Sequence, residues 1–453
     1  MAAVVAGLVL ASGCGGGDTT TAPEPVSDPP RPTTIAVSPF ATELSTLGAT
    51  VQLTAEVRDQ NGRIMPTATV TWSSSDTSVA TVDQAGLVTA VGAGTAAITA
   101  SAGPASASAG ITVTASALPD RDVLVALYEA TEGPNWINRE NWLTDAPLGE
   151  WYGVHTDAFG RVVRLDLSGR WDGEARRYVK HGLSGPIPPA LGNLASLERL
   201  YLQYNDLTGP IPPELGNFTR LTELRLDLNK LTGSIPPELG NLPSLEDLRI
   251  WGNELTGPIP SELGRLTRLM TLVLFGNKLT GLIPRELGNL TRLEDLRIYD
   301  NDFTGPIPSE LGDLTSLTTL YLSRSGLTGP IPPELGRLIR LRGLQLHDNE
   351  LTGPIPRELR NLTSLGDLNL NENRLSGPIP PELGNLTSLE KLRLADNQLS
   401  GTIPQSLLGL DKLNSFEFQN NAGLCAPSTT AFRTWIQGIQ EAYGPFCTAS
   451  RSN

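Results

Sequence analysis

The sequence is poor in the groups that carry most enzyme chemistry. Among its 453 residues are three histidines, His155, His181 and His347, and three cysteines. The histidines stand far apart, and no cysteine or histidine falls at metal-ligand spacing. Neither a nucleophile–base pair nor a metal site is therefore expected. Positive charge is also short, with 34 Lys and Arg against 48 Asp and Glu and a net charge of −14. An acidic surface repels phosphate backbones, which argues against nucleic acid as a partner. Beyond the N-terminus, no apolar run approaches the roughly 18–20 residues that span a bilayer. Aromatic residues make up only 5% of the chain, so any cluster of them is informative. The chain reads as a protein without enzymatic activity, cofactor or metal.

Glycine and proline are plentiful, at 46 and 36 residues, as expected of a chain with many regular turns. The length is too great for one ordinary core unless the fold is a repeat array.

Residues 1–14 read "MAAVVAGLVLASGC", an apolar run ending in small residues and Cys14. The string resembles the bacterial lipoprotein signal, with Leu10-Ala11-Ser12-Gly13 before the cysteine. It departs from that pattern in having no Lys or Arg before the apolar run, and Ala11 where Leu is commoner. The resemblance implies that Cys14 is lipidated and holds an exported protein to the cell envelope or outer-membrane surface. Several acyl chains together make such an anchor stable. With Cys14 set aside, Cys425 and Cys447 remain as an even pair 22 residues apart. In an exported protein they are expected to form a disulfide, worth roughly 3 kcal/mol in the loop-entropy model.

Residues 15–34, "GGGDTTTAPEPVSDPPRPTT", hold almost nothing apolar and read as a disordered tether. Residues 35–115 change texture. Short alternating runs such as "TVQLTAEV", "ATVTWSS" and "GITVTA" predict an all-β sandwich with Val70 and Trp72 on its core face. The string "VTWSSSDTSVATVDQAGLVTAVGAGTAAITA" resembles the group 2 bacterial Ig-like domain, which implies a surface spacer or adhesive module.

Residues 117–161 follow. Asp120 is placed to cap a helix bearing Val123, Leu124, Leu127 and Tyr128, and Gly133 to end it. Trp136, Trp142 and Trp151 come next in a loop-rich stretch. A solenoid needs a cover over its first open coil, so these rings are expected inside a cap. The segment resembles the N-terminal cap of bacterial leucine-rich-repeat surface proteins.

From there the chain repeats. Leucines stand at 197, 221, 245, 269, 293, 317, 341, 365, 389 and 413, every step 24 residues. Each unit reads approximately L-x-x-L-x-L-x-x-N-x-L-T-G-x-I-P-x-E-L-G-N-L-x-x, and about 11 units fill residues 162–424. This resembles the leucine-rich repeat, in the "LTGxIP" form of plant receptor ectodomains. The expected fold class is multidomain: an all-β Ig-like sandwich, then an α/β leucine-rich-repeat solenoid with a parallel concave sheet, short convex helical turns and helical caps. In L-x-x-L-x-L the leucines point inward and the x residues outward. The Asn at 205, 229, 253, 277, 301, 349, 373, 397 and 421 should be buried and satisfied by backbone groups of adjacent coils. Ser325 breaks that ladder and predicts a local weak point. Thr-Gly reads as a tight turn, and "PPELGNL" as a helical turn on the convex side.

Function can sit only where the repeat leaves letters free. One outward column runs Gln203, Asp227, Trp251, Phe275, Tyr299, Ser323, His347, Asn371, Ala395, Gln419. Trp251, Phe275 and Tyr299 fall on adjacent coils and predict an aromatic ridge with roughly 5 Å steps. The neighbouring column holds Tyr201, Arg225, Arg249, Val273, Arg297 and Tyr321. Arginines are thus expected to flank the ridge, with Asp247 and Asp295 on its other side. Aromatic and Arg together are typical of binding hot spots. The candidate ligand-binding residues are Tyr201, Tyr204, Arg225, Arg249, Trp251, Phe275, Arg297, Tyr299 and Tyr321. Between Leu167 and Leu183, about 11 residues are inserted. The loop over 169–182, "GRWDGEARRYVKHG", is locally basic and reads equally as a functional loop or as part of the cap.

Residues 425–453 end the array. Phe432, Trp435, Ile436 and Ile439 follow helical spacing and predict a short amphipathic helix over the last coil. The string resembles C-terminal caps of this repeat family. The reading is a monomeric cell-surface receptor or adhesin that binds a protein ligand on its concave face. A glycan ligand on the aromatic ridge, or a structural envelope role without a specific ligand, stays open at this point.

Overall fold

The structure, a computed structural model, describes residues 29–44, 49–92, 94–113, 120–173 and 177–448. Cys14 and the tether up to residue 28 lie outside the described residues. The chain divides into two compact units, residues 1–116 and 117–453.

In the first unit, strands Ala41–Leu44, Thr71–Ser74, Gly94–Ala102 and Ala105–Val113 form a four-stranded sheet. Thr50–Gln52, Ala80–Val82 and Leu87–Ala90 form a three-stranded one, and Pro32–Ser38 pairs with Thr54–Asp59. Alternation sends Leu53, Val79, Val88, Ile98 and Ile111 into one core. Trp72 is half-buried and packs against that core.

The second unit is a solenoid. Its concave side is a thirteen-stranded sheet running from Val154–Thr156 to Glu441–Tyr443. The first pair is antiparallel and every later pair parallel. Leu224, Leu248 and Leu272 lie side by side and fully buried, each such side chain worth about 1.5–3 kcal/mol. The concave register therefore advances by the sequence period, and equivalent residues of successive coils stack in straight columns.

The flank behaves differently. Thr-Gly, read as a turn, lies in strands such as Lys230–Gly233 and Glu254–Gly257, with Gly233 at φ +78°. These strands form a second parallel layer, six strands and then five. Here Thr232 pairs with Glu254 and Gly233 with Leu255, a register of 22 residues. Each coil is thus offset along the strand direction from the last, and equivalent residues do not face one another. The convex turns, Pro237–Asn241 among them, are 3-10 helices. A Cβ on Gly240 would run into the Glu262 carbonyl of the next turn, so this coil needs glycine there, although Arg360 and Leu408 hold the same place in two later coils.

Asparagines join the layers as expected. Asn229 Nδ2 donates to the carbonyls of Leu202 and Leu226, both at 3.0 Å, while its Oδ1 accepts the Leu207 N–H at 3.0 Å. Ser325 is too short for this. Its hydroxyl donates to the Ser323 carbonyl within its own coil. The flank layer splits at this coil: Asp302–Phe303 ends one sheet, Thr328–Pro330 begins the next, and only a bridge between Pro306 and Thr328 connects them. A cleft of about 630 Å³, lined in part by Phe303, Arg324 and Ser325, opens there.

Caps close both ends. The N-terminal helix Asp120–Ala130 places Val123, Leu124, Leu127 and Tyr128 in the core. Asp120 is the first residue of this helix, and its carboxylate accepts the Val162 N–H at 2.6 Å, which ties the cap to the first parallel strand. Glu132, in the left-handed region at φ 55°, leads the chain out of the helix, and Gly133 opens the following 3-10 turn. Trp136, Trp142 and Trp151 are buried, and their indole N–H groups donate to the carbonyls of Thr131, Tyr152 and Ala146. They are cap core, with no ring face offered to a ligand. At the other end, helix Thr430–Gly438 packs Phe432 and Trp435 near Phe416. Cys425 and Cys447 are disulfide-linked, with Cα atoms 4.9 Å apart.

Candidate functional site

Straight columns run along the concave sheet, and that geometry builds the ridge. The rings of Trp251 and Phe275 stack with centroids 4.6 Å apart and planes 16° apart. Phe275 and Tyr299 stack at 4.4 Å and 6°. These steps match the spacing of neighbouring strands, about 4.7–4.9 Å. The backbone ladder continues under the rings, with Leu228 N–H bonded to Trp251 O and Gly252 N–H to Phe275 O, both at 2.9 Å. All three rings are half-buried. Each covers its neighbour's face, so what they offer solvent is mainly their edges. Tyr321 meets Tyr299 edge-on at 6.4 Å, and the Arg297 guanidinium lies 5.4 Å from the Tyr321 ring centre.

The arginines do not act alone, and the acids stand elsewhere than expected. Asp247, Arg249 and Trp251 alternate along one strand and its extension, so Asp247 lies beyond Arg249 rather than across the ridge. Arg249 Nε bonds Asp247 Oδ1 at 2.8 Å, and Arg297 Nε bonds Asp295 Oδ1 at 2.8 Å. Arg225 Nη2 reaches Asp247 at 2.8 Å and Glu223 at 3.0 Å. Tyr201 also departs from its expected place. It is only 9% exposed, held between the guanidinium groups of Arg164 and Arg225 at 5.0 and 5.2 Å. Its hydroxyl donates to Glu223 at 2.6 Å. Burial, with that carboxylate second, pushes its pKa up to about 12. Tyr201 is a strut of the sheet and offers a ligand little surface.

A pocket lies at each end of the ridge. The first, about 230 Å³, brings together Tyr204, Arg225, Arg249 and Trp251, four of the expected residues, with Gln203 and Asp227. Asp227 is buried, its Oδ1 has no hydrogen-bond partner, and burial raises its carboxyl to about 6. Gln203 Oε1 and Arg225 Nε are likewise buried without partners. The second, about 280 Å³, is lined by Tyr299, Tyr321, Arg324, Gln345, His347 and Asp367. His347 Nδ1 has no partner, and burial, helped by Arg324, holds the imidazole below its ordinary pKa. Asp227 and His347 stood in the ridge column but were not singled out. Asp227 is the polar letter directly before the aromatic run, whereas His347 stands one coil beyond its end, past Ser323.

The basic insert forms a hairpin, Arg170–Asp172 antiparallel to Arg177–Val179. Its return limb is built into the cap. His181 is buried, stacks on Tyr152 at 5.2 Å, and its carbonyl accepts the Ile137 N–H at 2.8 Å. Among the described residues, no helix is long and apolar enough to cross a membrane. No group of three or more His, Cys, Asp or Glu among them is arranged to hold a metal ion.

Comparison with known families agrees with this architecture. Residues 33–115 match the bacterial Ig-like domain (group 2). Residues 196–218, 220–242, 244–266, 268–290 and 292–314 match the leucine rich repeat, and residues 304–441 a leucine-rich repeat region. The solenoid is a leucine-rich-repeat array. It is similar to the leucine-rich-repeat ectodomain of the Arabidopsis thaliana receptor kinase GASSHO1/SCHENGEN3, solved in complex with CASPARIAN STRIP INTEGRITY FACTOR 2. That match has 38% identity and a TM-score of 0.64, over 69% of this chain and 36% of the other. The plant peptide hormone receptor RGFR1, solved with RGF2, is 42% identical with a TM-score of 0.53, over 54% of this chain and 39% of the other. A plant ice-binding protein is 27% identical with a TM-score of 0.55, over 73% of this chain and 98% of the other. Ice-binding protein 1 of Shewanella frigidimarina is 42% identical over 87 residues, 19% of this chain and 10% of that protein. The chain thus spans well under half the length of these two receptor chains and a tenth of the Shewanella protein.

Proposed function

We propose that the concave face holds an extended peptide segment of a protein partner, binding it without chemical change. The observation that carries this is the stacked ridge of Trp251, Phe275 and Tyr299 with a pocket at either end. Asp227 and His347 are five coils apart, roughly 24 Å at the strand spacing, a length that about seven extended residues span. The similar plant peptide hormone receptor, solved in complex with RGF2, supports the same reading. A glycan is less suited to the ridge, because a sugar ring stacks on an open aromatic face and stacking leaves Phe275 covered on both sides and Trp251 open only on its outer side. The test is affinity for peptide binders selected from a display library. Trp251→Ala and Tyr299→Ala should each lose at least about tenfold, as hot-spot aromatics do. Binding equal to wild type in both variants would sink the reading.

Ice binding enters only through the names of two similar proteins. An ice plane asks for a flat, regular, uncharged array. The exposed threonines of the flank, such as Thr208 and Thr256, pair across the sheet with Lys230 and Lys278 instead of with one another. Ice-recrystallisation assays should therefore show no activity; activity lost in Thr256→Lys would reverse this judgement.

An envelope location completes the proposal, with an exported chain held by lipid on Cys14. The bacterial Ig-like domain supports a surface setting. Cys14→Ala should release the protein from the membrane fraction, and unchanged retention would remove the anchor from the account.

A further inference from the structure

We infer that the pocket beside Trp251 takes a basic side chain, Lys or Arg, of the bound peptide, with Asp227 as its acceptor. This rests on the peptide-groove reading and names what one end of the groove selects.

Asp227 is only 7% exposed, and its Oδ1 has no partner. A buried carboxylate oxygen without a donor is costly, and such an atom calls for a reason. The two arginines of the pocket do not supply one. Arg225 directs Nη2 at Glu223 and Asp247, and Arg249 directs Nε at Asp247. Two guanidinium groups thus face two carboxylates, and Asp227 is left over. Gln203 Oε1 is a second acceptor without a partner, against one unpartnered donor, Arg225 Nε. A ligand rich in donors fits this inventory, and Lys with three or Arg with five N–H groups provides them. Trp251 adds an aromatic wall. Phe275, on the next coil, covers one of its faces, and the pocket, lined by residues of the preceding coils, lies on the other side. A cation over an indole face is favoured. The volume, about 230 Å³, falls below that of pockets for drug-sized ligands and suits a single long side chain. Arg225, Arg249 and Asp247 are the charged groups acting on Asp227, and burial, with Asp247 beside it, outweighs the two arginines in keeping its proton on up to about pH 6. An arriving cation favours the ionised carboxylate, so binding should strengthen as pH rises through that region.

The experiment pans the purified full chain against a display library of random heptapeptides. Selected peptides should share a Lys or Arg whose replacement by Met weakens binding at least about tenfold, the scale of a charged hydrogen bond. Asp227→Asn should weaken the same peptides by a similar factor and erase the preference for Lys over Met. A thermal melt at least as high as wild type would certify its fold. Selected peptides without a basic residue overturn the inference, as does Asp227→Asn binding as wild type does. If Trp251→Ala and Tyr299→Ala lose binding while Asp227→Asn keeps it, only this inference falls. If no peptide is selected, or none depends on the ridge, the groove reading falls and takes this one with it.

Discussion

Asp227 sets stability against use. Unfolded, its carboxyl loses its proton near the ordinary value of 3.8; folded, it does so near 6. Between these values the unfolded chain binds fewer protons, so stability falls as pH rises through the window and stays lowered above it. The penalty at neutral pH is of order 3 kcal/mol by linkage. Asp227→Asn should therefore melt higher than wild type at neutral pH, and the gap should close at about pH 4. An equal gap at both values would show that ionisation is not the cause. The adjoining Leu228 takes the left-handed conformation at φ 53°, uncommon for a residue with a branched side chain. The same left-handed residue recurs in every coil from Tyr204 to Asn420, so it belongs to the repeat rather than to this pocket. Tyr201 shows the opposite case, an outward-column residue absorbed by its neighbours. Its burial depends on Arg164, which belongs to the preceding strand and aligns with Arg199. That pairing was invisible in a column written down one repeat position at a time.

At the scale of the coil, the 24-residue period made most of the fold legible. Strand, asparagine and convex turn followed from which letters recur, because each recurring letter meets a fixed backbone need. The flank layer was not legible. Its 22-residue register is set by backbone hydrogen bonding on a different side of the coil, and the side-chain pattern carries no trace of it. The last concave strand, Glu441–Tyr443, was also missed, because it lies beyond the repeat and has no leucine to announce it. The weak point at Ser325 was legible, since a missing amide leaves a known set of bonds unmade. Ser325→Asn should restore bonds to the Ile298 carbonyl and the Phe303 N–H, raising stability by about 1 kcal/mol. Differential scanning calorimetry measures it, and an unchanged melt would mean that the neighbours have already adapted. Gly240→Ala should do the reverse, destabilising by about 1–3 kcal/mol as the convex turns are forced apart.

In the whole molecule, each coil touches mainly its neighbours, so the array should open from its ends. The C-terminal end is held by the Cys425–Cys447 link and the helix Thr430–Gly438. Reducing the disulfide should remove roughly 3 kcal/mol of support from that end. Hydrogen exchange should then quicken in the coils after Asn397 and leave those around Trp251 unchanged; uniform quickening would show that the array melts as one unit instead.

The two registers give the two sides of the coil different evolutionary grammars. On the concave side, a duplicated coil would lengthen the aromatic ridge by one rung and leave every other rung's neighbours as they were. A point change there edits one rung alone. On the flank, the same change places a side chain against a different repeat position of the next coil, and no row accumulates. A new specificity can therefore be composed rung by rung on one surface only, while the other is free to hold the stack together.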